Sequence, residues 1–274
     1  MNAVVEYHRP SSLDDALRLV AAGGTVLAGG TVVNAGTRPT GSLLVDLQGL
    51  GLGGVAGAGA GAGAGSGAGA EGAILVGATT RLSELASASV APDWLRDLAR
   101  RELPSALRTL ATVGGTIVAG GGESALVAAF LACDAVVTLA GPAGTDDVPL
   151  ADLLADLLAD LHDDPHDDPH DNPHDRGALL GGRIITSVRL DAGGAASVHS
   201  TARTTADTPI VCCVARRGAA GVRVAMSGVA PTAVVVDDVE RLQPPGDFRG
   251  SGEYRHHLAR VLQARALTEL GAER

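Results

Sequence analysis

The chain has 274 residues, enough for one large core or two modest ones, and a hydrophobic share of 46% excludes a wholly disordered protein. A net charge of −10 with 2% aromatic residues supplies neither the basic surface nor the stacking platforms that nucleic acid needs. Apolar runs are broken by Gly, Asp and Arg short of the about twenty residues a membrane span requires. The opening MNAVVEYHRPSSLDDAL lacks a secretory pattern, so a cytoplasmic protein with no membrane span is expected.

In chain order, LDDALRLVAA (13–22) reads as an amphipathic helix, capped by Ser11 or Ser12 and stopped at Gly23-Gly24. TVLAG is a short strand running into a turn at Gly29-Gly30, and LLVDL (43–47) and AILVGA (73–78) are further strands. The repetitive small residues from Gly53 to Gly72 predict an elongated loop. Thr80 to Ala88 and Trp94 to Arg101 read as helical, with Trp94 as a packing residue. A second glycine turn in ATVGGTIVAGGG precedes the helix SALVAAFLACD and the strand AVVTLA. From about 160 to 176 the unit HDDP repeats; its prolines forbid a continuous helix, which predicts a solvated acidic linker. Beyond it, GRIITSVRLDA, TPIVCCVARR and VRVAMSGVA read as strands or strand–helix mixtures. The closing EYRHHLARVLQARALTEL carries Leu258, Val261, Leu262, Ala266 and Leu267 at helical spacing. The pattern is α+β in two parts, 1–159 and 177–274, joined by the linker.

Two segments carry chemistry. Leu27-Ala28-Gly29-Gly30-Thr31 and Thr112-Val113-Gly114-Gly115-Thr116 each place paired glycines after strand-like residues. Successive backbone N–H groups in such turns form a concavity for anions, to which the threonine hydroxyls add donors. Two converging turns suit a pyrophosphate, although neither matches the dinucleotide or P-loop fingerprints. Cys133, Cys212 and Cys213 are too few for an iron–sulfur cluster and read as buried thiols, so a redox centre would be a bound organic cofactor. Arg108 suits either a phosphate or a neighbouring acid, and Asp46 reads as a strand end. No paired carboxylates or nucleophile–base pair stands out, and no residue is assigned a catalytic or metal-ligating role.

The ordered motifs resemble the FAD-binding medium subunit of molybdenum hydroxylases, the family of xanthine dehydrogenases and aerobic carbon monoxide dehydrogenases. The similarity lies in Tyr7-His8-Arg9-Pro10-Ser11-Ser12-Leu13-Asp14-Asp15-Ala16-Leu17, AGGT, LLVDLQGLGL, ILVGATTRLSELA and SALRTLATVGGTIV. It continues in ARTTADTPIVCC, SGVAPTAVVV and EYRHHLARVLQARAL. The resemblance implies a two-part PCMH-type FAD-binding domain followed by a smaller α+β flavoprotein domain. Leu27, Ala28, Gly29, Gly30, Thr31, Val32 and Val33 would wrap the diphosphate, closed from the other side by Thr112, Gly114, Gly115 and Thr116. Ser124, with Glu123 beside it, falls where the family contacts the adenosine half, and Ile185 where it packs on the flavin ring. Implied partners are a molybdopterin-binding large subunit and a 2Fe-2S small subunit. FAD would pass electrons to NAD, a quinone or oxygen as part of a xanthine dehydrogenase-like oxidoreductase.

Against that pattern, Val32 and Ala125 stand where the family carries polar or acidic residues, Thr116 replaces an asparagine, and His199 is the titratable group nearest a position often held by lysine. Each lost charged hydrogen bond is worth about 1.5–3 kcal/mol. Two other readings therefore stay open: a degenerate assembly subunit of the same complex without FAD, and a His-rich metal-binding module built on the HDDP repeat.

Overall fold

The computed structural model describes residues 6–32, 43–57, 72–119, 121–162, 180–204 and 207–271. The chain opens with a small parallel unit. Strand β1 (Glu6–His8) leads to α1 (Leu13–Ala21) and back through β2 (Thr25–Leu27); β3 (Leu43–Asp46) lies between the two strands, parallel to both. Ser12 is the α1 cap, its hydroxyl accepting from the Asp15 N–H at 3.2 Å. Asp46 ends β3 as expected, accepting from the Gln48 N–H at 2.8 Å and the Tyr7 hydroxyl at 2.5 Å. Ala16, Leu17 and Val45 pack with Ala140 and Ile184, which ties this unit to the next sheet.

That sheet is antiparallel and five-stranded, in the order β4 (Val55–Gly57), β5 (Ala73–Gly77), β8 (Ile184–Asp191), β6 (Val136–Gly141) and β7 (Gly144–Pro149). Strand β4 occupies the start of the expected glycine-rich loop, whose residues 58–71 lie outside the described residues. Five helices connect or cover the sheet before β6: α2 (Leu82–Leu85), α3 (Asp93–Arg101), α4 (Ser105–Arg108), α5 (Val113–Ala119) and α6 (Ala125–Ala132). Helix α7 (Leu150–His162) buries Leu150, Leu153, Leu154 and Leu157, the i, i+3, i+4, i+7 stripe of a helix laid on a core. It runs to His162, over the first residues of the stretch expected as a linker. The stretch 163–176 lies outside the described residues.

A third, antiparallel sheet runs β12 (Val234–Val235), β11 (Gly221–Ser227), β10 (Val211–Gly218), β9 (Ala195–Thr201). Strand β10 is buried on both faces. Cys212 and Val214 join the main core against α6, whereas Val211, Cys213 and Ala215 pack beneath α8 (Gly252–Glu269). Every residue of α6 is buried, as befits a helix apolar all round, and it contacts both β10 and β11 while sharing the core of the five-stranded sheet. The HDDP segment does not mark the change of sheet. Strand β8, on its far side, pairs with β5 and β6, and the next sheet begins at β9. Among the described residues no helix is long and apolar enough to cross a membrane, and no three His, Cys, Asp or Glu side chains gather as metal ligands.

Candidate functional site

The two glycine segments meet. A Cβ on Gly29 would lie 2.1 Å from the Leu110 carbonyl oxygen and 3.0 Å from Ala111 Cα, so only a hydrogen lets the first turn rest on the residues entering the second. Gly30 adopts φ +68°, a left-handed conformation open to glycine at little cost. The Gln48 side-chain amide donates to the Ala28 carbonyl at 2.8 Å and ties the turn to the end of β3. Among the described residues, nothing accepts a hydrogen bond from the backbone N–H of Gly29, Gly30, Thr31 or Val32. Four donors are thus without an acceptor among the described residues.

The second segment differs from its sequence reading. VGGT opens helix α5, and its amides are spent. The Val113 N–H donates to the Thr80 carbonyl at 2.9 Å, and that of Gly114 to Ala78 at 2.8 Å. The Gly115 N–H donates to the Thr112 hydroxyl at 3.2 Å, while the Thr116 N–H and hydroxyl both reach the Thr112 carbonyl, at 2.8 and 2.9 Å. The expectation of a second run of free amides is corrected. Here the glycines let the helix start close beneath the β5–α2 connection.

A cavity of about 540 Å³ opens over both segments. Residues 28–32 line it, with Thr112, Gly114, Gly115 and Thr116 opposite and Ile185 on β8. Leu27, the last residue of β2 and in register with Asp46, does not line it, and Val33 lies outside the described residues. Glu123 is elsewhere. Its carboxylate pairs with the Arg249 guanidinium beside a separate pocket that includes Phe248. The α5–α6 link is held there because the Gly228 N–H donates to the Gly122 carbonyl at 2.5 Å. Ser124 caps α6, accepting from the Val127 N–H at 3.1 Å, and does not reach the cavity wall.

Two ionisable residues line the cavity among the described residues, and neither has a spacing signal in RELP or GGRI. Glu102 accepts from the Ser124 hydroxyl through one oxygen and from the Leu126 N–H at 3.0 Å through the other. Burial pushes its pKa above the usual carboxylate range, against the opposing pull of those two bonds. Arg183, at the entry to β8, donates through Nε to the Leu180 carbonyl at 3.0 Å. Arg108 instead donates to the carbonyls of Arg100 and Leu103, a loop-binding role rather than a phosphate contact. His199 hydrogen-bonds Glu269 of α8 at 2.9 Å and is not among the lining residues. All three cysteines are free and buried, and burial raises each thiol pKa, to about 12 for Cys133 and Cys213. They are inert structural groups.

The family described as the FAD binding domain in molybdopterin dehydrogenase matches residues 3–190. Comparison with curated protein sequences gives no significant match. Among solved structures, the carbon monoxide dehydrogenase of Hydrogenophaga pseudoflava, in a form lacking the Mo-pyranopterin moiety, aligns with a TM-score of 0.76 at 21% identity, over 98% of this chain and 97% of that one. Quinoline 2-oxidoreductase from Pseudomonas putida 86 aligns with a TM-score of 0.76 at 18% identity, over 97% and 96%. The reconstituted CO dehydrogenase of Oligotropha carboxidovorans gives 0.75 at 20%, over 98% of both chains. At these identities the structural likeness speaks for the fold. With the match over residues 3–190, the chain belongs to the family of FAD-binding domains of molybdopterin dehydrogenases, and FAD is its cofactor.

Proposed function

We propose that this chain is the electron-transfer subunit of a molybdenum hydroxylase complex. It would stand between a 2Fe-2S small subunit, fed by a molybdopterin-binding large subunit, and an external acceptor such as NAD, a quinone or oxygen. The observation that carries the reading is the turn at 28–32, where four backbone amides without partners among the described residues border a cavity of about 540 Å³. Such amides, the Thr31 hydroxyl and the Arg183 guanidinium suit a diphosphate. The opposite wall, from Thr112 to Thr116, contributes shape and the Thr112 and Thr116 oxygens rather than free amides. Ile185 offers an apolar contact for the flavin ring, and Leu27 leads into the gripping turn. Bound flavin takes electrons singly and passes them on in pairs. The residues lining the site would hold and orient it. On this reading the FAD-binding unit extends through β8, the C-terminal unit starts at β9, and the complex works in the cytoplasm.

The test is a visible spectrum of the purified chain before and after adding FAD and removing the excess. Flavin bands near about 370 and 450 nm that survive desalting support the reading. One observation favours a second reading, an assembly subunit without FAD: the amides of Val113, Gly114, Gly115 and Thr116 are already engaged, and Val32 brings no side-chain donor. A chain that stays colourless, alone and in complex with its partners, would overturn the electron-transfer role in favour of that second reading.

A further inference from the structure

We infer that the Glu102 carboxylate is a binding group of the FAD site, holding an O–H or N–H donor of the cofactor and thereby deciding how tightly it is retained. The inference rests on the FAD reading above and goes beyond the glycine turns that suggested it. A carboxylate oxygen accepts about two hydrogen bonds. Among the described residues, the partners of Glu102 use one position on each oxygen, the Ser124 hydroxyl on one and the Leu126 N–H on the other. Each oxygen keeps a further acceptor position, and Glu102 lines the same cavity as residues 28–32. Capping uses only part of the carboxylate: Glu102 takes the Leu126 N–H of the first turn of α6, beside the Val127 N–H that Ser124 takes.

Charge decides what such a group can face. An acceptor-only anion repels a diphosphate, whereas Arg183, the one cation among the described lining residues, attracts it. Glu102 is therefore matched to the neutral donors of FAD. These are the hydroxyls of the adenosine ribose with the adenine amine, or the hydroxyls of the ribityl chain. Buried polar selection of this kind is strong, because a ligand without the donor leaves the carboxylate unpaired.

The experiment uses the full chain. Glu102→Gln keeps a hydrogen-bonding shape that can still serve Ser124 and the Leu126 N–H but removes the charged acceptor. Glu102→Asp keeps the charge and withdraws it from the cavity, and covers the case in which the glutamine variant does not fold. FAD affinity from flavin fluorescence is expected to fall about tenfold to a hundredfold in both Glu102 variants. ADP as competitor distinguishes the donors: its affinity falls in parallel if the adenosine half is held and is unchanged if the ribityl chain is. Wild-type affinity in both Glu102 variants, even with a lowered melting temperature, would mean that Glu102 only caps α6 and would overturn the inference. A wild-type chain that binds no FAD in any state would remove the FAD reading itself, and the inference with it.

Discussion

At the scale of single residues, the site depends on a glycine that sequence reveals and a glutamate that it does not. Gly29 touches the Leu110–Ala111 backbone so closely that Gly29→Ala must push the two segments apart. We expect a stability loss of about 1–3 kcal/mol and loss of bound flavin, measured by thermal melting and by absorbance after desalting. Glu102 gives a pH signature. Its folded pKa is raised by burial, so its ionisation costs nothing below the unfolded carboxylate pKa and grows more costly as pH rises through the folded value. The melting temperature of Glu102→Gln should therefore gain on wild type between weakly acid and neutral pH and show no gain below about pH 4. A constant offset at every pH would contradict this. Gly29-Gly30 is legible because paired glycines after a strand announce a turn. Glu102 is one acid in RELP, and only folding brings it to α6 and the cavity.

At the scale of elements, α6 holds the two larger sheets together. Phe130 is fully buried in it, and Phe130→Ala should cost about 3–5 kcal/mol in chemical or thermal unfolding. Its all-apolar sequence announces a buried helix but not which sheets cover it. VGGTIVA shows the opposite limit. Paired glycines have poor helix propensity and read as a turn, yet bonds from Val113 to Thr80 and from Gly114 to Ala78 hold the segment as a helix start. Strand β7, GTDDVP, is exposed over most of its length and carries no apolar alternation, so only its pairing with β6 defines it. The end of α7 is hidden in sequence by the acidic repeat that follows, although its leucine stripe has helical spacing.

At the scale of the whole molecule, Arg216 joins parts that sequence sets far apart. Its guanidinium is 2% exposed, pairs with Asp191 at 2.5 Å, donates to the Gly193 carbonyl at 2.9 Å and lies 3.7 Å from Asp134 after α6. Arg216→Met should destabilise the chain by about 3 kcal/mol, because the Gly193 carbonyl and the Asp191 carboxylate lose their partner. A core shared by the second and third sheets also predicts that wild type unfolds in one transition, coincident by circular dichroism and by Trp94 fluorescence. The sequence by itself determined the mixed α+β composition, the buried thiols, the order of the family's motifs and the first glycine turn, because each rests on local periodicity or on the special backbone freedom of glycine. Only the tertiary structure decided that β8 belongs to the sheet before the acidic repeat, that the second glycine pair spends its amides inside a helix, and that Glu102 rather than Glu123 lies at the cavity. Strand pairing and side-chain convergence are long-range contacts, and no local pattern encodes them.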